Sequence, residues 1–275
     1  MPGMPLDGRW FRHPDAELFV TTSVGPRILH LARPGGDNLF HTEPPSGDGW
    51  QLYGGHRFWT APEDELTYAL DDGPVEVEGD RFSFVSDGLR RTLAVAWPHI
   101  THRLENVGPV PIRRACWALS VMAGGRAWLP RPALRPHPKA LLPDRSLALW
   151  PYTDPSDPRW TWGRGAVRLA CKGGGPQKIG AWNPLGWLAW QRGSTLFVKH
   201  THLPAGDYPD RGSSHELFTS GPMLELESLG PLTTLAPGEA VELVERWWLV
   251  EVEPELSDAA LGDHIAELGL DPGGL

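Results

Sequence analysis

Cysteine is scarce in this chain of 275 residues, which contains only Cys116 and Cys171. The two lie far apart and fit no metal-binding spacing, so neither a disulfide framework nor a structural zinc site is expected. No apolar run approaches the roughly 18 to 20 residues that a membrane-spanning helix needs. The first residues carry neither a basic nor an apolar signal segment. We therefore expect a cytoplasmic protein that has no membrane partner.

Basic residues are also in short supply, with 25 Lys and Arg against 34 Asp and Glu and a formal net charge of −9. This balance argues against a nucleic-acid partner, which would need a basic surface. The run Gly173-Gly174-Gly175-Pro176 lacks the lysine and hydroxyl of a phosphate-binding loop. A G-x-S-x-G elbow is missing too, which removes a common class of serine hydrolase. No cofactor is expected.

Glycine, proline and tryptophan are abundant, with 32, 29 and 14 residues respectively. The glycines and prolines are spread along the chain, which divides it into many short elements and disfavours long helices. Tryptophan has a large flat apolar face and one N–H donor, so it suits both a wide β core and stacking on sugar rings.

Short runs rich in Val, Ile, Thr, Phe and Trp lie between these breaks, as in all-β domains. The strands predicted most clearly are 17–23, 27–31, 75–78, 81–85, 89–96, 99–106, 113–122, 166–171, 186–191, 195–202, 223–229 and 240–252. The proline-dense residues 128–158 are predicted to form a surface excursion that could cap one end of a site. One helix is predicted over 256–268, with Ser257 as its cap. We expect a single all-β domain over 1–275, a large antiparallel twisted β-sandwich with a short C-terminal helix.

Glu225 and Glu227 lie in the alternating segment Met223-Leu224-Glu225-Leu226-Glu227. Alternation places both carboxylates on one face of a strand, about 6.5–7 Å apart. They could be the solvated side of an ordinary strand. Alternatively, an acidic pair on a concave sheet could act on sugar hydroxyls.

The segment Tyr53-Gly54-Gly55-His56-Arg57-Phe58-Trp59-Thr60-Ala61-Pro62-Glu63 is a second cluster. Its glycines allow a ligand to approach the backbone closely. His56 and Arg57 alternate faces in an extended chain, so only one can point into a given pocket. Arg57 could bind hydroxyls or an anion through its planar fork, or form a surface salt bridge with Glu63.

The third cluster contains His200 and His202, followed by Tyr208-Pro209-Asp210 and His215-Glu216. The two histidines share a face of the predicted strand. They could contact sugar, lie on the surface, or bind zinc or nickel with His215 or Glu216 as a third ligand.

Several of these segments together resemble the galactose mutarotase-like (aldose 1-epimerase) superfamily, especially a bacterial branch without an assigned activity. The resemblance covers residues 18–249. It rests chiefly on GPRIL at 25–29, GGHRFWTAPE at 54–63 and LELESLGPLTTLAPGE at 224–239. It continues through HRLENVGPVPI at 102–112, WLAW at 187–190 and YPDRGSSHELFT at 208–219.

The resemblance implies a supersandwich of two large antiparallel sheets, with a sugar bound on the concave one. In aldose 1-epimerases a glutamate on a late strand removes the anomeric hydroxyl proton while a histidine protonates the ring oxygen. The ring opens, the C1 carbonyl rotates, and closure gives the other anomer. Glu227 falls at the position of that base, and His56 and Arg57 match the glycine-rich segment that contacts the sugar.

Residues 115–122, where the family carries its acid histidine, contain no histidine. The acid would then come from His56, His200 or His202. Of these, His202 is preferred because Tyr208-Pro209-Asp210 can fold back over it. The expected catalytic residues are thus Glu227 and His202, and the expected sugar-binding residues are His56, Arg57, Glu63, Lys178, His200, Tyr208, Glu216 and Glu225.

The leading expectation is a metal-free isomerase, a monomer or weak dimer, that interconverts the anomers of an aldose or aldose phosphate. Two alternatives remain open from the residues. One is a sugar-binding protein that has lost its acid and does no catalysis. The other is a metal-dependent sugar enzyme that uses His200 and His202.

Overall fold

The computed structural model describes residues 6–44, 49–68 and 71–275, and these residues form two antiparallel sheets of ten strands each. The first sheet carries the carboxylate-rich strands. In spatial order it contains β1 (Gly8–Arg12), β2 (Glu17–Thr21), β3 (Arg27–Ala32), β4 (Gly55–Ala61), β9 (Ile112–Ala123), β18 (Met223–Leu229), β17 (His215–Ser220), β14 (Gln177–Ala181) and β11 (Leu147–Leu149), with β19 (Thr233–Leu235) paired to β9.

The second sheet contains most of the meander in the first half of the chain and its last strand. Its spatial order is β12 (Trp160–Trp162), β13 (Ala166–Ala170), β10 (Arg126–Pro130), β15 (Trp187–Arg192), β16 (Thr195–Thr201), β20 (Ala240–Glu251), β8 (His99–Asn106), β7 (Leu89–Ala96), β6 (Arg81–Ser86) and β5 (Glu76–Glu78). The described helices are α1 (Pro209–Gly212) and α2 (Asp258–Glu267).

The core lies between the two sheets and follows from strand alternation. On β18, Leu224 and Leu226 face inward and join a cluster with Phe197 and Trp247 of the second sheet. Each such side chain contributes about 1.5–3 kcal/mol when it is fully buried. The residues between them, Glu225 and Glu227, must then face the opposite, outer side of the first sheet.

Helix α2 covers the outer face of the second sheet. Its Leu261 and Ile265 pack against Trp128 and Trp187. The helix begins where the Ser257 side chain accepts a hydrogen bond from the Ala260 amide, as expected of an N-cap. The outer face of the first sheet is covered differently, by loops, and it holds the candidate site.

The all-β class and the two-sheet sandwich are confirmed. The predicted strands 89–96, 99–106 and 223–229 have these same bounds in the structure, and the predicted 75–78 and 81–85 pair is a hairpin. The predicted excursion 128–158 is less irregular than expected, since it includes the end of β10 and all of β11. None of the described helices is both long and apolar enough to span a membrane.

Candidate functional site

Strand register places charged side chains from β4, β18 and β17 in one row on the outer face of the first sheet, with β9 between β4 and β18. Arg57 of β4 pairs with Leu119 of β9, Leu119 pairs with Glu227 of β18, and Glu227 pairs with Glu216 of β17. Directly paired residues point to the same face of a sheet. Gly180 of β14 continues the row, and its missing side chain leaves room for Ser213 and Glu216, since a Cβ there would clash with Ser213 Oγ and lie 3.2 Å from Glu216 Cγ.

A second row, parallel to the first, contains Glu225, Phe218 and Lys178. The Lys178 ammonium reaches back across the rows, with Nζ 2.8 Å from Glu216 Oε2 and 2.9 Å from Glu227 Oε2. Burial alone would lower the pKa of Lys178, but the two carboxylates overcome this and hold it well above its ordinary value. Lys178 therefore stays charged, and its single charge serves two acids.

Glu227 is fully buried and is solvated by two donors. Its Oε2 accepts one hydrogen bond from Trp117 Nε1 at 2.8 Å and another from Lys178 Nζ at 2.9 Å. A buried carboxylate is tolerated when such charge-assisted bonds replace water. The other oxygen, Oε1, has no hydrogen-bond partner in the described part of the chain.

Glu216 is a member of this group whose pKa is raised. Burial raises the pKa of Glu216 well above its ordinary value, and the negative charge of Glu227 raises it further, against the opposing effect of Lys178. One ammonium cannot neutralise two buried carboxylates, so one of the two acids keeps its proton.

Arg57 and Glu225 form the second hydrogen-bonded pair of ionisable groups. Arg57 is 3% exposed, and its Nη2 donates to Glu225 Oε1 at 3.2 Å while the guanidinium lies 3.8 Å from the centroid of the Trp59 ring. The Nε and Nη1 groups of Arg57 have no hydrogen-bond partner within the described ranges. Burial raises the pKa of Glu225 to about 7, with Arg57 opposing this shift and Glu227 reinforcing it.

Aromatic side chains enclose a cavity of about 330 Å³ above these rows. A volume of this order is at the small end of ligand sites. The aromatic residues that line it are Trp50, Trp59, Tyr68, Trp117, Tyr152 and Phe218, and its ionisable residues are Arg57, Glu63, Tyr68, Tyr152, Lys178 and Glu225. We call this cavity the cleft.

The structure places Glu63 in the cleft with a different partner from the one predicted. Arg57 pairs with Glu225, whereas the exposed Glu63 accepts a hydrogen bond from the Tyr68 hydroxyl. The reason is that β4 ends at Ala61, so strand alternation no longer directs Glu63 toward Arg57.

His56 points away from the cleft, into the space between the sheets. Its Nδ1 lies 2.9 Å from Ser120 Oγ, and its Nε2 lies 2.7 Å from Nε2 of His102, whose Nδ1 lies 3.0 Å from the Leu243 carbonyl oxygen. A carbonyl only accepts, which assigns the His102 proton to Nδ1 and makes His56 Nε2–H the donor between the rings. Burial lowers the pKa of both histidines, so both are neutral.

His56, His102 and Glu245 have ligand atoms within 4.8 Å of one another, close enough in principle for a metal ion. Each of these atoms already has a partner, however. Glu245 accepts from Lys199 Nζ at 2.9 Å and from Trp247 Nε1 at 2.8 Å, and the two histidines bond to each other. A lysine ammonium at the carboxylate also opposes a cation there. The group holds the sheets together and fits a metal poorly.

His200 and His202 belong to the other side of the molecule. β16 lies in the second sheet, and His200 has the same strand parity as Leu196 and Val198, which pack in the α2 cluster. His202 is exposed beyond the end of β16. The structure therefore does not bring either histidine to Glu227. Among the described residues, neither histidine belongs to a set of three potential metal ligands.

Tyr208 also lies outside the cleft. Its hydroxyl donates to the Pro204 carbonyl at 2.9 Å, and its ring packs edge-on against Trp182, with 5.0 Å between the centroids. These two rings line a separate cavity.

The sequence interpretation missed the aromatic residues of the cleft. Trp59 has the same strand parity as Arg57, and Trp117 pairs directly with Trp59, so alternation could have identified both. Trp150 and Tyr152 follow β11, in the excursion expected to cap the site. Lys178 Nζ lies 4.7 Å from the ring centroids of both Trp117 and Trp150.

Comparison with solved structures shows the fold of aldose 1-epimerases and mutarotases. A protein of Escherichia coli K12 provisionally assigned as an aldose 1-epimerase matches with a TM-score of 0.55 and 13% identity, over 90% of this chain and 100% of that one. A Klebsiella pneumoniae protein with the same provisional assignment gives 0.55 and 11%, over 93% and 81%. A provisional mutarotase of Salmonella typhimurium gives 0.54 and 10%, over 90% and 97%.

At these identities the likeness establishes the fold, and the activity has to be argued from the site. No protein-family model and no curated protein sequence matches the chain.

Proposed function

We propose that this protein binds an aldose in the cleft and interconverts its anomers, with Glu227 as the base. The observation that carries the proposal is the convergence of four buried ionisable groups: Arg57, Lys178 and Glu225 line one aromatic-walled cavity, and Glu227 lies beneath it in contact with Lys178. Aromatic faces suit the apolar faces of a sugar ring, and the charged groups suit its hydroxyls.

Glu227 is assigned the base role because its environment keeps a proton acceptor available. Lys178 and Trp117 donate to Oε2, which leaves Oε1 as the oxygen that would accept the sugar proton. Glu227 lies beneath the cleft, covered by the residues that line it. The proposal therefore requires the long side chain of Lys178 or Arg57 to move aside when a sugar binds.

Mixing each purified anomer of an aldose panel, free and phosphorylated, with the protein tests this function. We expect faster equilibration of at least one sugar by nuclear magnetic resonance. Glu227→Gln should keep the fold and the sugar affinity but slow equilibration by at least about 10²-fold, the usual share of one acid–base group.

An unchanged rate in the Glu227→Gln variant would contradict the base assignment. Failure of the wild-type protein to accelerate any aldose, together with sugar binding in the cleft, would support a second candidate, a sugar-binding protein without catalysis. That candidate is favoured by one observation: β9 turns only Trp117, Leu119 and Val121 toward the cleft side near Glu227, and none of these is an acid.

A further inference from the structure

Anomer interconversion by ring opening needs an acid as well as a base, and the family's histidine position offers none here. The residues of β9 that lie nearest Glu227 on its face are Trp117, Leu119 and Val121. The only polar proton among these side chains, the Trp117 indole N–H, is already donated to Glu227. The acid must come from another strand position or from a loop.

Most proton-bearing groups of the cleft are poorly suited to the task. Lys178 is held as a cation by two buried carboxylates, and the guanidinium of Arg57 does not release a proton at neutral pH. Burial raises the pKa of Tyr152 to about 12 and raises that of Tyr68 as well, which makes both phenols weak acids near neutral pH. Glu63 is exposed and already accepts the Tyr68 hydroxyl.

Glu225 is the remaining candidate, and its geometry fits. It lines the cleft two residues before Glu227 on the same face of β18, about 6.5–7 Å away along the strand. Arg57 binds Oε1 at 3.2 Å and so fixes the carboxyl group. Within the described part of the chain, no hydrogen bond to Oε2 competes with a ligand for that oxygen. We propose, resting on the anomerase function above, that Glu225 protonates the sugar ring oxygen while Glu227 takes the proton of the anomeric hydroxyl.

The surroundings of Glu225 keep it protonated up to neutral pH. Its strand neighbours Val121 on β9 and Phe218 on β17 are apolar. The charged groups that act on it are Arg57 and Lys178, which lower its pKa, and Glu227 and Glu63, which raise it. Burial dominates these effects, and the pKa is about 7. Two carboxyl groups with unlike environments on one strand are the arrangement expected of an acid and a base.

The proposed step balances as follows. Glu227 carboxylate accepts the proton of the C1 hydroxyl, the C1–O1 bond becomes a carbonyl, the C1 to ring-oxygen bond breaks, and the ring oxygen receives the Glu225 proton. The aldehyde then rotates about C1–C2. The hydroxyl formed from the ring oxygen attacks C1 while the Glu225 carboxylate removes its proton. The carbonyl oxygen O1 takes the proton back from Glu227, which restores both carboxyl groups without any external reactant.

Glu225→Gln tests the assignment, because the amide keeps the shape and the Arg57 contact but cannot donate a proton as an acid. We expect the sugar Kd to change less than about threefold and kcat to fall at least about 10²-fold. In the wild-type protein kcat should decline as the pH rises through about 7, when Glu225 loses its proton. Glu78→Gln is the matched control, an exposed carboxyl on β5 of the second sheet, away from the cleft, and should keep both the rate and this decline.

Two outcomes would overturn the proposal in distinguishable ways. A wild-type protein that anomerises an aldose, loses this with Glu227→Gln and keeps it with Glu225→Gln would reject the acid assignment alone. A wild-type protein that anomerises no aldose would reject the proposed function and the assignment of Glu225 with it. A loss of thermal stability in Glu225→Gln that accounts for the lost rate would also reject a catalytic role.

Discussion

At the scale of single residues, Lys178 decides how protons are distributed beneath the cleft. Its ammonium lies within 2.9 Å of both Glu216 and Glu227, and it is 4% exposed. Burial and the neighbouring Glu227 raise the pKa of Glu216, and Lys178 opposes that shift. The lysine thus holds the proposed base in position through a direct hydrogen bond.

This arrangement predicts that substitutions of the two contacting residues Lys178 and Glu216 lower the free energy of unfolding by very different amounts. Lys178→Met should lower the free energy of unfolding by about 3–5 kcal/mol at neutral pH, because a buried carboxylate loses its partner. Glu216→Gln should cost less than about 1 kcal/mol, because the amide resembles a carboxyl group that is already protonated. Chemical denaturation of both variants measures the two values, and a larger cost for Glu216→Gln would show that Glu216 is ionised.

The sequence predicted the shared face of Glu225 and Glu227, since alternation within β18 is a local property. It could not identify their partners. Arg57 and Glu225 are 168 positions apart, and Lys178 and Glu227 are 49 apart, so both pairs depend on which strands become neighbours. The predicted Arg57–Glu63 pair followed from proximity in sequence, which is a weak guide once a strand has ended.

At the scale of elements, β16 links the two sheets through Lys199. This fully buried lysine extends from the second sheet, where its Nζ lies 2.9 Å from Glu245 Oε1, to the first sheet. There Nζ donates to the Leu226 carbonyl at 2.8 Å and approaches the Ala118 carbonyl at 3.4 Å. These carbonyls belong to β18 and β9, so Lys199 supports the strand that carries Glu227.

Substitutions of Lys199 and Glu245, singly and together, test this role through the free energy of unfolding. Lys199→Met should cost about 3–5 kcal/mol of unfolding free energy, because Glu245 would remain charged in the core. Adding Glu245→Gln removes that charge and keeps an acceptor for Trp247 Nε1, so the double variant should be more stable than Lys199→Met alone. A cost below about 1 kcal/mol for Lys199→Met would contradict this role.

Element boundaries were largely predictable, but the assignment of elements to sheets was not. The strand that contains His200 was predicted correctly at 195–202 and lies at Thr195–Thr201. Its place in the second sheet, beside β15 and β20, puts His200 on the side covered by α2. The expectation that His202 serves as the acid depended on a long-range pairing that periodicity does not encode.

At the scale of the whole molecule, the two outer faces of the sandwich differ in the residues that are buried on them. Part of the outer face of the second sheet, over β10, β15 and β16, is covered by apolar contacts between α2 and residues such as Trp128 and Trp187. The outer face of the first sheet carries buried charges under the aromatic walls of the cleft. Burying paired charges costs free energy that apolar residues would not, so a face built this way is expected to serve binding or catalysis.

The location of a bound sugar tests the central claim most directly. Crystals soaked with a mixture of aldoses, free and phosphorylated, should show one sugar ring in the cleft against Trp59 or Trp117. Its anomeric carbon should lie beside Glu225 and Glu227, with one of the two cleft cations displaced from its position over Glu227. A sugar found instead in the cavity of Tyr208 and Trp182, or an empty cleft at a sugar concentration that saturates turnover in solution, would contradict the account.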